Sequence, residues 1–163
     1  MFQIRAADAK DIPALERAAA GMGGKKQAGY FERCLAERLV FLAEDNGEPA
    51  GFVMLNWSPL YAPFRSAGIP EIQDLGVTPD FRRRGIGAAL IAHCENAAKA
   101  AGKAAIGVGV GLHGGFGAAQ RLYAAKGYMP DGAGAVYDET PVRFADIRPV
   151  DDLLNLKMLK SIL

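Results

Sequence analysis

The stretch Glu71 to Leu90, EIQDLGVTPDFRRRGIGAAL, gathers the residues whose types and spacing could do chemistry. Arg82, Arg83 and Arg84 run directly into Gly85-Ile86-Gly87-Ala88, and apolar Leu90, Ile91, Cys94 and Ala98 then recur at helical spacing. Ahead of them Ile72, Leu75 and Val77 form a short apolar run stopped by Thr78-Pro79-Asp80, as in a strand that ends in a turn. The predicted unit is strand, turn, basic run and helix. The first turn of a helix has four N–H groups without intrahelical partners and carries the positive end of the macrodipole, so it attracts anions. Glycines at 85 and 87 let a phosphate approach the backbone, and the three guanidinium groups add donors that match phosphate oxygens. A diphosphate suits this arrangement.

Two other glycine-loop readings fail on spacing. A dinucleotide fingerprint needs a third glycine where this chain has Leu90, and its strand leads straight into the glycines without intervening arginines. A P-loop needs Gly-Lys-Ser/Thr after its spacer, and none follows. A tight turn with a solvated basic face is the plain structural alternative.

Arg82-Arg83-Arg84-Gly85-Ile86-Gly87-Ala88 resembles motif A of the GNAT superfamily of acyl-CoA-dependent N-acetyltransferases. Downstream, Ala119-Gln120-Arg121-Leu122-Tyr123 followed by Gly127-Tyr128 is similar to the later helix of that family. The resemblance covers residues 71 to 130. It implies a single α/β (α+β) domain over residues 1–163, with a mixed, mainly antiparallel central sheet and helices on both faces. It implies acetyl-CoA as cosubstrate and no metal. The backbone of Leu75 and Val77 would meet the acetyl and pantetheine portions, and residues 82 to 88 the pyrophosphate. Tyr123 is the expected general acid for the departing thiolate: one helical step of about 100° from Leu122 lets the leucine enter the core while the phenol points toward the cofactor. The family often has an asparagine where this chain has Phe116, so any contact through that amide is missing.

The expected reaction is acetyl transfer to a primary amine by direct attack in a ternary complex, since no cysteine or serine stands beside the strand as an acyl carrier. An alkylammonium of pKa about 10.4 must first lose a proton. Glu71 and Asp74 are the candidate bases; three residues apart on one strand, they face opposite ways unless a bulge intervenes. Glu71 matches a position where some GNAT enzymes carry their base and is preferred, while Asp74 lies nearer the expected acetyl group. Either carboxylate could instead only attract a cationic amine. Two further functions stay open: a non-catalytic acyl-CoA sensor, and an acyltransferase with a non-amine acceptor.

A chain of 163 residues with 50% apolar content is long enough for one domain that buries about 70% of its unfolded surface. The net charge of +1 gives no reason to expect nucleic acid as a partner, and no apolar run approaches a membrane span of ~20 residues. The expectation is a cytoplasmic enzyme acting on a small-molecule or peptide amine, with a homodimer possible. Cys34 and Cys94 lack metal-ligand spacing and read as reduced and partly buried.

The remaining elements must hold this centre. Phe2 and Ile4 alternate as in a first strand, and Asp8 or Asp11 could cap the helix carrying Ile12, Leu15 and Ala18, which Gly21-Met22-Gly23-Gly24 breaks. Helical spacing returns from Tyr30 to Arg38, a region that in the resembling family shapes the acceptor pocket. Asn46-Gly47 joins two strands as a hairpin. In SPLYAPFRSAGIP, residues 58 to 70, Tyr61 and Phe64 either border the acceptor site or pack back onto the core. The strand at 104–111 sends Ile106, Val108 and Val110 one way and Gly107, Gly109 and Gly111 the other, a bare strip suited to close packing by a helix or to the pantetheine arm. Glycines around His113 make it an exposed bystander, and His93 a helix-surface residue. A polar turn at 138–140 joins a hairpin, and Leu154 to Met158 alternate as the last strand, preceded by Asp151-Asp152 in a turn.

Overall fold

The computed structural model describes residues 1–24 and 26–163. Its eight strands make the mixed α/β sheet expected from the sequence. The chain divides into two compact units, Met1–Asn56 with Ile72–Ala97, and Trp57–Glu71 with Ala98–Leu163.

In the first unit β1 (Phe2–Ala6), β2 (Leu39–Asp45), β3 (Glu48–Asn56) and β4 (Glu71–Val77, of which Glu71 belongs to the second unit) follow one another in sheet order. The β2–β3 turn is Asn46-Gly47, with φ of 51° and 81°, the left-handed pair that a two-residue hairpin demands. Alternation sorts the strands' side chains. Val40, Leu42, Phe52 and Met54 form a core with Leu15 and Ala18 of α1 (Ile12–Gly21) and Phe31 and Cys34 of α2 (Tyr30–Glu37). On the opposite face Phe41 meets the ring of His93 on α4 (Ile86–Ala100) at 5.5 Å. Helices therefore cover both faces, and His93 is a half-buried packing residue rather than a surface one.

The start of α1 is tied to β1. Asp8 and Asp11 form a capping box, and Arg5 grips Asp11 with two hydrogen bonds of 2.7 and 2.8 Å. The Arg5 hydrogen bond holds the Asp11 carboxyl at about 2, below its ordinary value of 3.8, so its contribution is complete above pH 4 and is lost as pH falls from 4 to 2. Because Arg5 is half exposed, about 1 kcal/mol is expected. Urea unfolding of Asp11→Asn should show that loss at pH 7 and a flatter stability profile between pH 4 and 2 than the parent.

The second unit orders its strands β5 (Ala105–Gly111), β8 (Leu154–Ser161), β6 (Met129–Tyr137) and β7 (Thr140–Pro141). Residues 62–66 form a short helix, α3, and Tyr61 and Phe64 are fully buried, so packing onto the core is what this stretch does. Phe64 and side chains of β8 and the turn after β5 account for the glycine strip. A Cβ on Gly107 would fall inside the Phe64 ring, one on Gly111 would meet Phe116, and one on Gly109 would lie 3.0 Å from Lys157 Nζ and 2.9 Å from Asn155 Oδ1. Side chains, not a helix backbone, fill the strip. His113 is no bystander: its Nδ1 accepts from Gly115 N at 3.1 Å, capping a 3-10 turn, and its Nε2 lies 2.6 Å from Asp152. Asp151 accepts from the Tyr137 hydroxyl at 2.9 Å. Both acids of that turn hold the fold.

Candidate active site

The expected anion cradle lies where β4 ends. After the 3-10 turn Pro79–Phe81, Arg83 (φ 64°) and Gly85 (φ 83°) adopt left-handed backbone, and α4 begins at Ile86. Such curled backbone draws successive N–H groups toward one side, as anion-binding nests do. Gly85 is required there by its φ, and its carbonyl accepts the helical bond from Ala89 N at 3.0 Å. Helix geometry leaves the N–H groups of Ile86, Gly87 and Ala88 without intrahelical acceptors. Ile86 is buried with Leu90, Ile91, Cys94 and Ala98, one apolar stripe that fixes the helix.

The arginines divide their work. Arg82 donates from Nε to the Val77 carbonyl at 3.0 Å, bracing the end of β4. Arg84 pairs with Asp45 at 3.0 Å and lies over the Phe81 ring, while Arg83 is exposed. Only part of the expected basic cluster is therefore left to a ligand. Cys94 is fully buried, and burial pushes its thiol up to about 12; Cys34 is buried and its thiol is raised by the same cause. Neither is a nucleophile. Among the described residues no group of three His, Cys, Asp or Glu is placed to hold a metal ion, and no helix is long and apolar enough to cross a membrane.

The two candidate bases occupy different environments. Asp74 has φ 52°, a left-handed residue inside β4, which breaks the strand's alternation in the manner of a bulge. Its side chain is 32% exposed and lies 3.9 Å from Lys26. Glu71 is 2% exposed, and Lys157 Nζ donates to its Oε2 at 2.9 Å. Lys157 also donates to both oxygens of Glu139, at 2.9 and 3.1 Å, and lies 5.2 Å from the centre of the Tyr61 ring. Sequence pattern does not single out Lys157, which is one position of an alternating strand. Its one cue is its register, directly opposite Gly109.

Tyr123 lies on α5 (Gly117–Ala125) and is 4% exposed, whereas Leu122 is only half-buried. The expected division between them is thus reversed in burial. The helix ends in a Schellman motif: Gly127 (φ 90°) donates to Ala124 O and Tyr128 to Tyr123 O, both at 3.0 Å. That turn brings Tyr128 back onto Tyr123, ring centres 5.6 Å apart and edge to face. The Gly-aromatic pair thereby fixes the tyrosine. Gln120 adds a 2.8 Å hydrogen bond to the Gly111 carbonyl, anchoring α5 to β5.

Within the first unit a cavity of about 530 Å³ is lined by Glu16, Ala19, Gly23, Lys26, Gln27 and Phe31, from α1, α2 and the segment joining them. Lys26 links this cavity to Asp74.

The model of the Acetyltransferase (GNAT) family matches residues 12–128, and the chain belongs to that family. An uncharacterized N-acetyltransferase of Methanocaldococcus jannaschii is 37% identical over 93 residues, which is 54% of this chain and 40% of that protein's length. Among solved structures, the ribosomal-protein-S18-alanine N-acetyltransferase of Escherichia coli superposes with a TM-score of 0.74 at 21% identity, covering 99% of this chain and 94% of that one. An acetyltransferase of Salmonella typhimurium, solved with acetyl-CoA, gives 0.68 at 20% identity, covering 99% and 94%. These structural likenesses establish the fold.

Proposed function

We propose that residues 1–163 form one N-acetyltransferase domain that moves the acetyl group of acetyl-CoA to a primary amine of a small molecule or peptide. The observation that carries this reading is the left-handed entry through Arg83 and Gly85 into the N-terminus of α4. The E. coli neighbour's name, which specifies an alanine of a ribosomal protein, supports a peptide amine as the acceptor class. In this reading Leu75 and Val77 flank the thioester, residues 82 to 88 hold the pyrophosphate, and the acceptor enters the cavity beside Lys26. The neutral amine nitrogen attacks the thioester carbonyl carbon, the amide C–N bond forms as C–S breaks, and the thiolate takes a proton from Tyr123. The amine's own proton goes to a carboxylate.

Of the two carboxylates, Asp74 is the preferred base in this reading, because Glu71 is buried and paired with the Lys157 ammonium while the Asp74 side chain is 32% exposed. Release of free CoA should be assayed against a panel of polyamines, amino acids and peptide N-termini. With the best acceptor, Asp74→Asn should lower kcat/KM at pH 7 and recover part of it at high pH, where free amine is abundant. Glu71→Gln should leave the profile's shape unchanged. The reverse pattern would return the base to Glu71.

The cradle is tested without an acceptor. Gly87→Val puts a branched side chain where the pyrophosphate must approach, and CoA affinity measured by calorimetry should fall by about 100-fold or more, equivalent to nearly 3 kcal/mol. Unchanged affinity in a folded variant removes the cradle assignment.

A further inference from the structure

Gly21, Met22 and Lys26, at and just past the end of α1, lie against the segment of β4 and Thr78. A Cβ on Gly21 would meet Thr78 Cγ2 at 3.3 Å, and Lys26 reaches Asp74 at 3.9 Å. Between these two contacts Met22 crosses onto Gly76. Its Sδ occupies the place where a Cβ on Gly76 would stand, and its methyl carbon Cε lies 2.9 Å from that point. The strand thus carries no side chain at this position, and a thioether from another segment supplies the bulk. Met22 is only partly buried and packs against the core of α1, α2, β2 and β3. An unbranched thioether with three rotatable bonds fills irregular space, and here it is held between Gly76 and that core.

Gly76 lies between Leu75 and Val77, the two residues that flank the thioester in the acetyl-CoA reading, and the role assigned to Met22 rests on that reading. A wall at Gly76 is then a wall beside the acyl group. We propose that Met22 is a specificity-determining residue that sets the acyl-chain length, admitting acetyl and excluding chains longer by two methylenes. An apolar pocket discriminates about 10- to 200-fold for a single methylene when its wall does not retreat. Bulk lent by one methionine side chain gives such a wall, and truncating that side chain opens it without touching the strand or the cradle.

Calorimetry with free CoA, acetyl-CoA and butyryl-CoA tests this without knowledge of the acceptor. The parent should bind butyryl-CoA at least about 10-fold more weakly than acetyl-CoA. Met22→Ala should close the gap to within about 3-fold, and Met22→Leu, which keeps the bulk, should preserve it. Should the alanine variant fail to fold, Met22→Val, shorter but still apolar, takes its place. A parent without the gap, or a folded Met22→Ala with the parent's gap, overturns the proposal while CoA binding keeps the acetyl-CoA reading intact. Failure of all three ligands to bind the parent overturns both.

Discussion

Lys157→Met is expected to cost about 3–5 kcal/mol, the range found when one partner is removed from a buried ion pair. Lys157 is 1% exposed and Glu71 2%, so the methionine fills the lysine's volume but leaves the Glu71 carboxylate without its cation. At roughly 2–4 °C per kcal/mol for a chain of this size, the melting temperature should drop by about 6 to 20 °C. The strain extends to the turn that carries Glu139. Asp138 and Glu139 have φ of 46° and 67°, a two-residue hairpin built without the Asn or Gly that such a turn favours, and both oxygens of Glu139 close on Lys157. Losing the lysine should therefore also speed amide exchange at 137–140. Lys157→Met combined with Glu71→Met replaces the pair by apolar groups of similar volume and should recover most of the lost stability. A loss under about 1 kcal/mol for Lys157→Met alone would falsify the buried pair as a stabilising contact.

This cluster also marks where a sequence stops being legible. Features set by neighbours in the chain can be read from it: the Asn46-Gly47 hairpin, the break after α1 and the start of α4 at the glycines. Each is a short-range pattern in which local backbone preference and side-chain periodicity point the same way. Lys157 and Glu71 are 86 positions apart, and no periodicity announces that a charged residue will face inward on β8. The glycine strip is visible in the sequence but its cause is not, because Phe64 and Lys157 reach it from distant segments and only Phe116 comes from the turn that follows β5. Asp74 shows the converse. Alternation sends Glu71 and Asp74 to opposite faces, and a single left-handed residue, which the strand's composition does not demand, redirects the chain. Asp74 and Arg83 put such departures on residues with proposed chemical roles, whereas Asn46, Asp138, Glu139 and Ala145 adopt left-handed backbone elsewhere.

Tyr123→Phe is expected to lower kcat by about 10- to 1,000-fold, within or somewhat below the usual range for acid–base catalysis, with acetyl-CoA affinity nearly unchanged. The substitution removes one oxygen and leaves the ring, so the edge-to-face contact with Tyr128 and the Schellman turn at Gly127 survive. Stability should shift by only about 1 kcal/mol, the net worth of a typical hydrogen bond. The chemical consequence is larger because a thiolate leaving group needs its proton as C–S breaks, and water must travel to supply it once the phenol is gone. Burial of Tyr123 at 4% exposure sharpens the contrast between two roles. If the hydroxyl only satisfies a buried ring, Tyr123→Phe melts slightly lower and turns over normally. If it delivers the proton, kcat falls while the acetyl-CoA dissociation constant holds. Weaker acetyl-CoA binding at an unchanged kcat would move Tyr123 from catalysis to binding.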